Sequence, residues 1–291
     1  MILLLPVGVL AISSASILIR LTPADPLAIA FWRLAFATSI VLAVGAVKGL
    51  ELPRGRYLTY SLLSGVFLAV HFLSWIPSLF LTTVAASTTL VNIHPIVMLL
   101  LSRSLGERIN RATVAGVLVA TVGAILITFS PGGLLGDLLA VVGALSFAGY
   151  LAIGRVVRAS VGTLGYVAVA YGAAALFSLG VGLALRVNLV NYDWHTFFMF
   201  LLIASIPMML GHTVFNYLLG RYRAVTIAAS TLGEPIGATL LAALVLGESP
   251  MGDAVFDIFG VSVALPLQAM GIVVTLLGLF VVVREEIKVS K

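Results

Sequence analysis

Apolar runs of about 20 residues follow one another along the chain, separated by short polar connectors. Ten such runs fall at approximately 2–21, 28–47, 58–81, 84–102, 112–130, 135–154, 163–185, 196–219, 225–246 and 267–283. At 1.5 Å per residue, a helix of about 20 residues covers the roughly 30 Å hydrocarbon core of a bilayer. The pattern therefore predicts an all-α membrane protein with ten transmembrane helices, and its connectors leave no room for a soluble domain. Met1 leads directly into an apolar stretch with no basic leader and no small-residue cleavage site before a polar start, so this stretch reads as a first span and not a removable signal.

Composition agrees with that class. Apolar residues make up 61% of the chain and charged residues 9%, against roughly 25% charged in a soluble domain. With no cysteine, disulfides and thiolate metal sites are excluded. The net charge of +5 raises the question of an acidic partner, and its placement answers it. Lys48, Arg54, Arg56, Arg103, Arg108, Arg111, Arg155, Arg158, Arg221, Arg223, Arg284, Lys288 and Lys291 fall on one side of a ten-span arrangement, with only Arg20 and Arg186 in connectors on the other. Such a bias predicts both termini in the cytoplasm of a multi-pass cell-membrane protein whose surroundings are lipid. Nucleic acid is not needed to account for the charge.

The chain also repeats itself. His71 lies 24 residues before Pro95 in "NIHPI", with Gly106–Glu107 following, while His212 lies 23 residues before Pro235 in "GEPIG", with Gly247–Glu248 following. Between those marks, "VAASTTL" at 84–90 resembles "IAASTLG" at 227–233. Two five-span units result, 1–131 and 132–291, within one membrane domain. Because five is odd, the second unit enters the bilayer from the opposite side, an inverted repeat of the kind that places a binding site near the midplane. The copies differ in length after the second "GE", where "MGDAVFDIFGVSVAL" is inserted. It reads as a partly amphipathic surface segment or as a loop.

Ten spans in two halves, "FWRLAFA" at 31–37 opening the second span, and "GEPIGATLLAALVLGE" at 233–248 resemble the drug/metabolite transporter superfamily of the EamA type. The resemblance covers nearly the whole chain and implies transport of small metabolites. One departure is His94, which stands where the second half has Glu234.

Glu234 is the one acidic residue clearly in mid-span, where a charge costs roughly 2.5–3.5 kcal/mol on insertion scales. It must face protein or water. Pro235 lacks an N–H and Gly233 admits close backbone approach, so a helix break is expected there, and Pro95 marks its counterpart in the first half. His71, His94 and His212 fall within spans, and Trp75 and Asn216 stand four residues after the two repeat-related histidines. With Asn92 and Tyr150 these residues form the candidate substrate site, each having a structural alternative in helix packing or interhelical hydrogen bonding. Trp32 offers further stacking surface. No close histidine pair preorganises a metal site, and no cofactor is implied. Arg33, near the start of the second span, reads as a headgroup anchor or as an attractor of anionic substrate. Gly116, Ala120 and Ala124 form a small-residue stripe for helix packing, within the chain or in a homodimer.

Two functional classes compete. A polytopic enzyme would need chemistry the chain does not display, since no G-x-S-x-G, H-E-x-x-H or G-x-x-x-x-G-K-[ST] motif occurs. The repeat favours a secondary transporter working by alternating access. One mid-span carboxylate, imidazoles and amides, with no Lys or Arg expected deep in the core, point to small polar or zwitterionic metabolites. Amino acids, carried by export, come first; organic cations, drugs or nucleobases are the alternative.

Overall fold

In the computed structural model, residues 3–127, 133–246, 253–258 and 261–289 are described. The repeat boundary expected at 131/132 and the "GE" pair Gly247–Glu248 lie outside them. The helices are α1 (Leu4–Ser13), α2 (Ala15–Arg20), α3 (Pro26–Lys48), α4 (Arg56–Leu81), α5 (Val84–Val91), α6 (His94–Ser102), α7 (Arg111–Ile127), α8 (Leu134–Arg158), α9 (Thr163–Ala184), α10 (Trp194–Ile203), α11 (Thr213–Leu219), α12 (Ala224–Ser230), α13 (Glu234–Leu246) and α14 (Leu267–Val289). A π-helical segment, Ala204–His212, joins α10 to α11, and a single 3-10 turn, Thr231–Gly233, joins α12 to α13. Among the described residues five helical stretches are long and apolar enough to cross a membrane: Pro26–Lys48, Arg56–Leu81, Leu134–Arg158, Thr163–Ala184 and Trp194–Leu219. Leu4–Arg20, Ala86–Ser102 and Arg111–Ile127 are shorter apolar helices.

Three helices, α3, α5 and α10, start at a side chain that accepts from one of their free N–H groups. Asp25 accepts from the Leu27 nitrogen at 2.8 Å ahead of Pro26, Thr83 from the Ala86 nitrogen at 3.0 Å, and Asp193 from the Thr196 nitrogen at 2.8 Å. Leu100, Leu118, Val122, Leu145, Leu176, Leu244 and Phe280 point outward, an apolar surface that suits acyl chains and would aggregate in water. Inside, α4 packs on α8 and α9, α3 on α9, and α7 on α14.

Glycines set how closely the last pair approaches. A methyl group on Gly123 would lie 2.4 Å from the Thr275 nitrogen, and one on Gly278 would lie 2.4 Å from the Ala120 nitrogen. The Gly116, Ala120 and Ala124 stripe is thus an intramolecular seam against α14. The expectation of an all-α chain needs one correction: Asp253–Ile258 (β1) pairs antiparallel with Val261–Pro266 (β2), in register Asp253 to Pro266 and Ile258 to Val261. Val255, Phe256, Ile258, Val261 and Val263 favour extended backbone, which accounts for a strand pair in place of the expected partly amphipathic segment or loop.

Candidate functional site

Two helix interruptions meet at the centre of the bundle. α5 ends at Val91 and α6 begins at His94, with Pro95 in its first turn and Asn92 and Ile93 between the two. In the second half, α12 gives way to the 3-10 turn and α13 begins at Glu234, followed by Pro235. Each proline has no N–H to donate, so it tolerates a helix's first turn and disrupts a continuing one. Gly233 also sets the packing here, because a methyl group on it would sit 2.8 Å from Val9 Cγ1, and glycine therefore lets α1 press against the break. The Ser13 hydroxyl bonds the Glu234 carbonyl at 3.2 Å and the Val9 carbonyl at 2.8 Å, tying α1 to the same point.

A cavity of about 30 Å³ lies between the interruptions. Six of the eight sequence-predicted site residues line it: His71 and Trp75 from α4, Asn92 and His94 from the first break, His212 from the end of the π-helical segment, and Glu234. Phe147, Phe215 and Thr231 complete the polar and aromatic wall. A water needs about 10–15 Å³ on this measure, so a water or two fits and a metabolite requires the walls to part. A larger apolar groove of about 620 Å³, walled by Leu3, Val9, Ile236, Leu276 and Phe280, runs along the far side of Ser230 and Gly233. Its walls match acyl chains; the polar chemistry belongs to the small cavity.

Hydrogen bonds fix the orientation of most of the lining. His71 Nδ1 lies 2.9 Å from the Gly143 carbonyl, so the proton sits on Nδ1 and Nε2 is left as an acceptor. Its ring stacks on Trp75 with centroids 5.8 Å apart and lies 6.4 Å from the His212 ring. His94 Nδ1 bonds the Val91 carbonyl at 2.9 Å and Nε2 meets Thr231 Oγ1 at 3.0 Å, joining the first break to the second. Thr231 also reaches the Ala228 carbonyl at 2.7 Å, and it has one proton for two acceptors. When His94 is neutral, Nδ1 donates to Val91 and Nε2 accepts from Thr231; when it is protonated, Nε2 donates and the threonine turns to Ala228. Asn92 Nδ2 lies 3.4 Å from Glu234 Oε2, a second link between halves.

Several buried polar atoms have no hydrogen-bond partner: Trp75 Nε1, Asn92 Oδ1 and His212 Nδ1 on residues of the cavity wall, and Asn216 Oδ1 and Arg33 Nε and Nη1 beyond it. Buried donors and acceptors are paired as a rule, so such a set stands out from the rest of the core. Both kinds are represented. Among the described residues no group of three or more His, Asp or Glu stands close enough to hold a metal.

Tyr150 and Asn216 lie apart from the cavity wall. Asn216 Nδ2 donates to Tyr150 Oη at 2.5 Å, to Tyr171 Oη at 3.2 Å and to the His212 carbonyl at 2.8 Å, forming a polar layer one helical turn away. Trp32 is elsewhere too, donating to the Leu189 carbonyl at 2.6 Å and packing against Phe36, Phe197 and Phe200 at one end of the bundle. Arg33 requires a correction. It is fully buried and not a headgroup anchor, with its guanidinium 3.9 Å above the Phe72 ring and Nη2 3.8 Å from Met208 Sδ. The core therefore does hold a fixed cation. The apolar pattern gives no hint of the π-helical segment, although Pro207 within "SIPMMLGH" is its sequence signal, since a proline there breaks the regular hydrogen-bond ladder and π segments gather at functional sites.

The end of the bundle opposite Trp32 is closed by ion pairs. Glu107 Oε1 accepts from Arg155 Nε at 3.2 Å and from the Ala224 nitrogen at 2.7 Å, so the α6–α7 connector clasps both α8 and the start of α12. Glu286 of α14 accepts from Arg223 Nε and Thr226 Oγ1 at 2.5 Å each and from the Arg223 nitrogen at 3.0 Å. Arg223 Nη1 continues to the Arg108 carbonyl at 3.1 Å.

The profile of the EamA-like transporter family matches residues 1–129 and 134–284. A solved structure described only as "Crystal structure of protein" aligns with TM-score 0.78 and 19% identity over 98% of this chain and 97% of its own, a likeness of fold. No curated protein matches the chain. With nearly its whole length covered by the family's profile, this integral membrane protein belongs to the EamA-like transporter family of the drug/metabolite transporter superfamily.

Proposed function

We propose that the protein is a secondary transporter of small zwitterionic metabolites, amino acids and related compounds first, exporting them across the cell membrane by alternating access between two inverted five-helix repeats. In this reading α1–α2, α5–α6, α10–α11 and α12–α13 each count as one span beside α3, α4, α7, α8, α9 and α14. The support is length: Val84–Ser102, breaks included, comprises 19 residues, about 28 Å of helix.

The observation that carries the proposal is the cavity where the two breaks meet. An unpaired donor, Trp75 Nε1, and an unpaired acceptor, Asn92 Oδ1, stand in its wall with the Glu234 carboxylate. A substrate ammonium group suits Glu234 and the Asn92 oxygen, and the aromatic wall takes the apolar remainder. Binding widens the cavity at the breaks, where few backbone bonds must be given up. The His94–Thr231 bond, whose direction follows the imidazole proton, holds the two breaks together in either protonation state. The ion-pair cluster around Glu107 and Glu286 is then the inner gate and the Trp32 aromatic cluster the outer one. Organic cations are the second reading, favoured by Glu234 among aromatic rings and opposed by the buried charge of Arg33.

Glu234→Gln keeps shape and hydrogen bonding while removing the charge. In proteoliposomes containing the folded variant, a substrate-binding carboxylate predicts that both exchange and pH-gradient-driven accumulation fall, whereas a proton carrier predicts loss of accumulation alone. Parent-like transport at every pH would leave Glu234 as packing and end this reading.

A further inference from the structure

Arg33 is the largest unexplained element of the core. A guanidinium is always charged, and burying one without an anion is expensive. Among the described residues no carboxylate forms an ion pair with it, and its direct contacts are the Phe72 ring face and the thioether of Met208, a weak acceptor, with Tyr171 and Glu234 acting on it only at longer range. Nε and Nη1 have no partner at all. α3 carries Arg33 seven residues beyond its first turn's Pro26, about 10 Å along the axis, and because the side chain is fully buried within the protein no lipid phosphate touches it.

Its surroundings tie it to the transport cavity. Phe72, beneath the guanidinium, follows His71 and lies 5.3 Å ring to ring from His212, and both histidines line the cavity. Met208 and His212 sit on the same π-helical segment, one turn apart. The sulfur on Nη2 and the imidazole in the cavity wall are therefore carried by one segment. The planar guanidinium pairs Nη2 with an orphaned neighbour as two parallel N–H donors, the geometry that suits a carboxylate. Glu234 lines the cavity at the start of α13, while Arg33 is not among its lining residues and reaches it through the Phe72 and His212 rings.

We propose that Arg33 is the carboxylate-binding residue of the transport site, gripping the acid group of a zwitterionic metabolite whose ammonium end is held by Glu234 and Asn92. The proposal rests on the reading of the cavity as a transport site and names the feature of its substrate that is recognised. It also assigns the π-helical segment a role: Met208 shields the cation until substrate displaces it.

The test uses three probes of one carbon skeleton: leucine, 3-methylbutylamine, which lacks the carboxylate, and 4-methylpentanoate, which lacks the amine. Purified protein is assayed for thermal stabilisation by each probe, and proteoliposomes for flux. Wild type should be stabilised by leucine and by 4-methylpentanoate, and should prefer leucine to the amine. Arg33→Gln should lose roughly 10- to 100-fold of that preference and all stabilisation by the acid, while Arg33→Lys, charged but without the fork, keeps part of both. Equal loss of leucine and amine flux in Arg33→Gln, with stabilisation by the acid unchanged, overturns the proposal. Should Arg33→Gln fail to fold, an Arg33→Lys protein with undiminished preference overturns it equally. Acid stabilisation that depends on Arg33 without any leucine flux keeps the carboxylate subsite and removes the amino-acid reading. Absence of both removes both.

Discussion

Glu286 offers a direct way to find out whether the ion-pair end of the bundle is a gate or a static brace. Its carboxylate is 2% exposed, the Arg223 side chain is 8% exposed, and the two meet at 2.5 Å with Thr226 and the Arg223 N–H as further donors. Glu286→Gln leaves an acceptor in place and strands the arginine charge, and breaking a buried pair in this way costs about 3–5 kcal/mol. If the cluster exists only in the conformation closed at this end, that energy moves the conformational equilibrium by about a hundredfold to a few thousandfold. The chain has no cysteine, so a single Val91→Cys substitution in the cavity wall reports access cleanly to a membrane-impermeant maleimide. In vesicles of known sidedness, Glu286→Gln should speed labelling from the Arg223 face and slow it from the Trp32 face. Adding Arg223→Gln removes the stranded charge and should restore part of the parent's behaviour. Shortened thermal half-life with unchanged labelling from both faces would falsify the gate and make the cluster a brace present in every conformation.

Three further expectations follow from particular contacts. Burial holds the Glu107 carboxyl above its ordinary value of 4.5, outweighing the Ala224 N–H and Arg155 that pull it down. Its contribution to stability is therefore full below that value and is lost as pH rises through the folded-state value, so the parent should lose stability relative to Glu107→Gln across that window; the opposite slope refutes the assignment. Gly123→Ala forces a methyl group to 2.4 Å from the Thr275 nitrogen and should cost about 1–3 kcal/mol in unfolding measurements, whereas Gly180→Ala, with nothing within 4 Å, should be neutral or mildly stabilising. Reporter fusions at both termini should be cytoplasmic, as the thirteen-to-two distribution of connector charge requires; an external C-terminus would remove the ten-span arrangement.

What was legible in the sequence was whatever is costly in lipid. A carboxylate at Glu234 and prolines at 95 and 235 stand out of apolar runs because each needs a compensating partner or a break, and the interruptions between α5 and α6 and between α12 and α13 lie beside those prolines. The position of Asn216 was harder to read. Spacing of four residues puts it on the His212 face, but one turn is about 5.4 Å, and a cavity of about 30 Å³ does not extend that far, so Asn216 serves the Tyr150 and Tyr171 hydroxyls. Thr231 carried no signal at all, since a hydroxyl is cheap in a helix and its value lies in a bond to His94, 137 residues away.

Arg33 is the instructive case, because its cost was visible and its direction was not. A soluble helix reveals its buried face by the period of its apolar residues, but a span that is apolar all round has no such period, so a long side chain near its end reads equally well as reaching outward to headgroups or inward. Only the helices packed against α3 decide, through Phe72 below the guanidinium and Met208 beside it, and both belong to distant segments. That inward turn changes the substrate argument. In the proposed assignment, Glu234 alone would favour cations, whereas Glu234 together with Arg33 would favour a molecule carrying both charges and penalise a simple amine by leaving a buried guanidinium unpaired.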